Sequence, residues 1–153
     1  MVVRVGVMHN NSLKYLIIHS TYTREGKNIK MKGNIKSLYS DVVDINGNIE
    51  GFIMDSRNNR TDSWDVKYNN EDINSVSRHI AYVGGVNKEN TNAKDTRTEK
   101  QKETLDIYVK YMIKRHPHIK IAGYNQFKDK SSPGFNVSEW LEEMNVEKQN
   151  ILQ

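Results

Sequence analysis

Apolar residues along this chain change their period several times, and each change predicts an element. Val3, Val5 and Val7 alternate with Arg4, Gly6 and Met8, the period of a strand with one covered face, and His9 to Ser12 then reads as a turn. Tyr15-Leu-Ile-Ile-His-Ser20 is denser and predicts a central strand buried on both faces. Asp41 to Ile45, then Asn46-Gly47, then Asn48 to Met54 predicts a β-hairpin, because Asn-Gly readily takes the positive φ angles of a tight turn. Residues 55 to 75 are rich in Asp, Asn, Ser and Arg and read as an ordered long loop, with Trp64 and Tyr68 as apolar anchors.

Strand character returns at His79 to Val83 and ends at Gly84-Gly85. Thr98-Glu-Lys-Gln101 has the spacing of a capping box, in which hydroxyl and amide satisfy backbone donors at a helix start. The helix that follows carries an apolar stripe of Leu105, Tyr108, Val109, Met112 and Ile113, and His116-Pro117 stops it. Lys120 to Gly123 predicts a short strand. Asn136-Val-Ser-Glu139 caps a last helix that buries Trp140, Leu141 and Met144, and residues 147–153 are expected to fray as a tail. The order predicts an α/β domain over residues 1–146, a mixed central β-sheet flanked by helices. Fold class alone decides no chemistry.

Composition narrows the picture. Hydrophobic residues make up 36% and charged ones 27% of 153 residues, enough for one modest core and no more. The net charge of +4 is local in origin, since Arg24 to Lys36 holds five basic residues against Glu25. That segment reads as a solvated loop or as a contact for nucleic acid, lipid phosphate or an acidic protein, and of these nucleic acid is not expected. With no cysteine, disulfides, thiolate metal sites and a cysteine nucleophile are all excluded. The first residues are too short an apolar run for a signal peptide, and no stretch of eighteen apolar residues exists, so no membrane insertion is expected. The expected location is a virion or the cytoplasm of the producing cell.

Four segments, in order, resemble the zinc-dependent N-acetylmuramoyl-L-alanine amidases, a family that includes phage lysozymes and animal peptidoglycan recognition proteins. Tyr15 to Thr21 is similar to the family's first strand, which ends in a zinc-ligand histidine, here His19. Ala81-Tyr-Val-Gly-Gly85 with Asp95 to Gln101 resembles the glycine pair and helix start of members from phages and Bacteroides-type bacteria. Ile121 to Phe127 and Ser131-Ser-Pro-Gly-Phe135 resemble the Gly-His-x-Asp-Phe and Cys-Pro-Gly-Phe motifs. The resemblance implies that Tyr124 stands where the second zinc ligand, a histidine, would be, and Ser132 where the third, a cysteine, would be.

Catalytic zinc needs three protein ligands and one open position, and neither a neutral phenol nor an alcohol replaces imidazole and thiolate. The resemblance also places Tyr39 and Lys130 at positions that stabilise the oxyanion, although Tyr39 reads equally as packing. Nineteen residues separate His19 from Tyr39, fewer than the family places there, and Asp65 sits where a cleft histidine lies in active relatives.

Three readings follow. The first is a catalytically inactive amidase-like domain, without metal or cofactor, reused as a structural or protein-binding component of a larger assembly such as a phage particle, with Trp64, Tyr68 and the basic loop as contacts. The second is a peptidoglycan-binding module that does not hydrolyse, using the residual cleft around His19, Tyr124, Lys130 and Ser132. The third is an active hydrolase with a rearranged metal site that recruits Asp41, Asp129 or His79.

Overall fold

The computed structural model describes residues 13–28, 38–51, 64–128 and 131–153. Its strands are β1 (Tyr15–Ser20), β2 (Thr23–Arg24), β3 (Asp41–Val43), β4 (Ile49–Gly51), β5 (Lys67–Tyr68), β6 (Glu71–Asp72), β7 (Ser77–Tyr82), β8 (Gly85–Val86) and β9 (Lys120–Gly123). Its α-helices are α1 (Glu99–Arg115) and α2 (Val137–Glu143). The main sheet has the order β4-β3-β7-β1-β9, with β1 parallel to β7 and β9, β3 parallel to β7, and β4 antiparallel at one edge. This is the mixed sheet with helices that the sequence predicts.

The central strand is buried on both faces, as its unbroken apolar run requires. Leu16 and Ile18 join the cluster formed with Leu105, Val109 and Met112 of α1 and with Val137 and Leu141 of α2. Ile17 points the other way, into a cluster with Val66 and Ile73, because successive side chains of a strand alternate. One face of the sheet is thus covered by helices and the other by loops, and the second face carries the site.

Helix α1 begins where its capping box places it: Gln101 N donates to Thr98 Oγ1 at 3.1 Å and Thr98 N to Gln101 Oε1 at 2.9 Å. The Gln101 amide also donates to Val43 O and Val83 O, tying the helix start to β3 and to the end of β7. The Asn-Gly hairpin forms as predicted between β3 and β4, with Gly47 at φ 85°. Glycine is needed there twice over, since a Cβ would lie 2.9 Å from Lys100 O.

Several expectations change. The long loop contains the β5–β6 hairpin, turned by Asn69 and Asn70 at φ 53° and 66°, and a 3-10 turn at Asn74–Val76. Asparagine tolerates the left-handed region, so the signal was present in Asn-Asn. Strand β7 starts at Ser77, and β2 pairs with β8 in a small second sheet. The C-terminal segment does not fray. Asn150, Ile151 and Leu152 are buried, Leu152 N donates to Ile121 O at 3.0 Å, and the Asn150 amide donates to Pro117 O and Ile119 O. Two apolar side chains with satisfied backbone partners outweigh the entropy of a chain end. The strand expected at Val3 to Val7, the hairpin's outer residues Phe52 to Met54 and most of the basic loop lie outside the described residues. No helix among the described residues is long and apolar enough to cross a membrane.

Candidate functional site

The C-terminal ends of the parallel strands bring together segments far apart in the chain, the place where open α/β sheets bind ligands. His19 is the penultimate residue of β1, Tyr39 precedes β3, Tyr124 follows β9 in a 3-10 turn, and Ser132 sits in the Ser-Pro-Gly-Phe turn, next to a cis bond to Pro133. These residues, with Ser20, Tyr22, Trp64 and Ser131, line a cavity of about 460 Å³. Its volume is in the range of small-ligand pockets, about 300–1,000 Å³.

Aromatic rings form the cavity's base. Around the His19 ring, Tyr124 stacks at 4.8 Å and 27°, Trp64 lies at 4.3 Å, and Tyr39 meets it edge-on at 5.4 Å. Two of these rings are fixed by their polar ends: Trp64 Nε1 donates to Leu38 O at 2.7 Å, and the Tyr39 hydroxyl to Ser20 O at 3.3 Å. Burial, reinforced by Tyr124, pushes the Tyr39 hydroxyl up to about 12, so it is a neutral donor at neutral pH. Ser132 Oγ accepts from Ser20 N at 2.8 Å. The glycine pair serves this junction, because a side chain on Gly85 would run into the Ser20 hydroxyl.

Beneath the cavity lies a residue that sequence reasoning considered only as a recruited ligand. His79 Nδ1 is 2.8 Å from His19 Nε2, and His79 Nε2 is 2.8 Å from Asn74 Oδ1. Asn74 Oδ1 only accepts, so His79 carries its proton on Nε2 and leaves Nδ1 to accept from His19 Nε2–H. The relay fixes the His19 tautomer, with Nδ1 bare. Burial, then the neighbouring His79, holds the His19 pKa well below its ordinary 6.5, and burial lowers that of His79 to about 3. Both rings are neutral at pH 7. The sequence signal for this contact was the strand register: Ile17 pairs with His79 and His19 with Ala81, which puts both histidines on one face two residues apart.

Other predicted positions fall elsewhere. Tyr68 lies off the cavity and packs edge-on against Tyr15 at 6.0 Å. Asp65 is exposed and paired with Lys128 at 3.0 Å, and the hydrogen bond and charge of Lys128 lower its pKa. Asp41 is on the helix-covered face, buried against Arg78 at 3.0 Å and Tyr108 at 2.5 Å, so it cannot be recruited to the cavity. Lys130 and Asp129 lie outside the described residues.

The three positions at which the motif resemblance implies zinc ligands present one imidazole, a phenol and an alcohol. That set does not fit a catalytic zinc ion, which takes nitrogen, thiolate or carboxylate donors. Among the described residues no three His, Cys, Asp or Glu side chains converge as a metal-binding group. What the site offers chemically is ring faces, hydroxyls and a neutral imidazole, suited to holding an uncharged or weakly polar group.

No family model matches this chain, and no curated protein matches it in sequence. Solved structures do match in shape. The N-acetylmuramoyl-L-alanine amidase LysC from Clostridium intestinale superposes with a TM-score of 0.59 at 15% identity, covering 91% of this chain and 89% of that one. PGRP-SA of Apis mellifera gives 0.59 at 17% identity, covering 94% and 87%. The ectodomain complex of the peptidoglycan recognition proteins LCa and LCx, bound to tracheal cytotoxin, gives 0.57 at 14% identity, covering 92% and 85%. The chain therefore has the α/β fold shared by N-acetylmuramoyl-L-alanine amidases and peptidoglycan recognition proteins.

Proposed function

We propose that this chain is a catalytically inactive domain of amidase fold that works by binding. The observation that supports the reading is the set of side chains around His19: its imidazole is oriented by His79, and the groups beside the cavity where the motif resemblance implies two further zinc ligands are the Tyr124 ring and the Ser132 hydroxyl. A hydrolase of this type needs a Lewis acid to polarise the amide and to activate water, and a phenol plus an alcohol forfeit most of the affinity for it. The Tyr124 ring moreover stacks on His19, filling space beside the imidazole. The role that follows is a structural or protein-binding component of a larger assembly, such as a phage particle.

Zinc content after supplementation and release of soluble fragments from purified peptidoglycan test the inactive state together. Less than a tenth of an equivalent of metal and no release are expected; stoichiometric zinc with hydrolysis would overturn it. The double variant Tyr124→His/Ser132→Cys should gain zinc, because His19 is already held with Nδ1 bare.

The open cavity favours a second reading, recognition of a peptidoglycan fragment without hydrolysis. Its aromatic lining supports it, as does the fold shared with recognition proteins, two of which form an ectodomain complex bound to tracheal cytotoxin. Sedimentation with insoluble peptidoglycan separates the two readings: retention above a control protein that Trp64→Ala abolishes selects wall recognition, and no retention rejects it.

A further inference from the structure

We propose that the cleft selects a primary carboxamide carried on a flat apolar body and rejects the corresponding carboxylate. The inference rests on the reading that the cleft binds without metal, and it names the chemistry that the cleft takes. Two hydrogen-bond chains run into the cavity, and they end with opposite polarity.

The first chain ends in a donor. Tyr22 N donates to Ser20 Oγ at 3.2 Å, Ser20 Oγ to Ser132 Oγ at 3.4 Å, and Ser20 N to Ser132 Oγ at 2.8 Å. Both lone pairs of the Ser132 hydroxyl are thus taken, and its hydrogen is what it has left to offer. Ser132 is half-buried and lines the cavity, and no described residue accepts that hydrogen.

The second chain ends in an acceptor. Asn74 Oδ1 accepts from His79 Nε2–H and His79 Nδ1 from His19 Nε2–H, which leaves the His19 Nδ1 lone pair. Little of His19 is exposed, yet Nδ1 is not among the partnerless side-chain atoms sealed from solvent, so this lone pair opens on the cavity that His19 lines. The two ends are neighbours, because Ser132 Oγ is bonded to the backbone N of the residue that follows His19.

A primary carboxamide carries its carbonyl oxygen and an N–H on one edge and can meet both ends at once, accepting from Ser132 Oγ–H and donating to His19 Nδ1. A carboxylate has no hydrogen for Nδ1 and, among the described residues, finds no cation in the lining to offset its desolvation. The ligand's body meets the rings that stay open: Tyr22 is 56% exposed, and Trp64 and Tyr124 are half-buried. Tyr22 is moreover held at φ 59°, a left-handed conformation costly for a bulky L residue, by bonds on either side from Thr21 N to Tyr82 O and from Thr23 N to Gly84 O.

Benzamide is the probe, with benzoate as its charged isostere and methyl benzoate as a neutral carbonyl without N–H, followed by backbone amide shifts in NMR on the full chain, with and without EDTA. Saturable shifts are expected at 19–22, 124 and 131–132, with benzamide at least about tenfold tighter than either control. Ser132→Ala should weaken benzamide by about tenfold. Tyr22→Gly should weaken it several-fold while the melting temperature stays equal or rises, since glycine takes this φ without strain. Retention on insoluble peptidoglycan that benzamide displaces assigns the carboxamide to the cell wall; no retention, with benzamide bound, assigns it to a protein side chain. Benzoate bound in preference to benzamide, and lost with EDTA, means a resident metal and refutes the metal-free reading itself. No saturable shift, or equal affinity for benzamide and its controls, with EDTA making no difference, overturns the carboxamide assignment alone.

Discussion

Acid should destabilise this fold through the histidine pair under the cleft. His79 is buried with its pKa lowered from 6.5 to about 3, and burial lowers His19 in the same direction. In the unfolded chain both take up a proton below about pH 6.5, whereas the folded chain refuses it, so stability is intact above that value and is lost as pH falls. Each such group contributes a slope of about 1.4 kcal/mol per pH unit. Between pH 7 and about pH 4.5 His79 alone accounts for a loss of about 3 kcal/mol, and His19 adds to the loss in the same direction. Urea titrations followed by circular dichroism at stepped pH measure this, and His79→Gln isolates it. Glutamine can accept from His19 Nε2–H and still donate to Asn74, but it does not titrate. The variant should be less stable than the parent at pH 7 and should close the gap by about 3 kcal/mol at pH 4.5, since protonating carboxylates affect both alike. If parent and variant lose stability in parallel, within about 1 kcal/mol over that range, the histidines are not buried neutral and the relay is wrong.

Other consequences are checked more simply. Gly47→Ala forces a positive φ on an L residue and a contact with Lys100 O, and should lower stability by about 1–3 kcal/mol in thermal melts. Deleting residues 150–153 exposes the cluster around Ile121 and should cost about 3–5 kcal/mol, whereas a frayed tail would cost nothing measurable. Arg78→Met alone leaves the buried Asp41 carboxylate without its cation and should cost about 3–5 kcal/mol. Pairing Arg78→Met with Asp41→Leu should recover most of that loss in chemical denaturation, because no uncompensated charge is left.

What the sequence made legible was whatever a single segment encodes. The capping box, the Asn-Gly turn, the doubly buried β1 and the proline stop each rest on neighbours within a few residues, and each is found where the pattern put it. The misses are segments whose partners lie elsewhere. Ile151 and Leu152 look like a tail until β9 offers Ile121 and its backbone, and Lys67–Asp72 looks like loop until Asn69 and Asn70 are seen to turn it. At the site, motif resemblance put His19, Tyr39, Tyr124 and Ser132 within one cavity, with Trp64 beside them. Trp64 and Tyr68, the loop's two apolar anchors and expected contacts, part company: Trp64 lines the cavity and Tyr68 packs on Tyr15.

His79 is the instructive miss, because its importance is a matter of register and not of motif. A parallel strand pairing fixes which residues share a face, and only with β1 and β7 aligned does His79 come to lie under His19. The consequence changes how the cleft is read. A histidine left over from a dismantled metal shell would be expected to turn outward or to be replaced, since a buried neutral imidazole with an unmet N–H is costly. Here His79 accepts that N–H and Asn74 accepts the next, so the base of the cavity is satisfied without metal and the rings above it can pack as ordinary core. Such a site has no need of an ion for stability. That is the physical condition under which a cleft of this kind can exchange chemistry for binding and keep its shape.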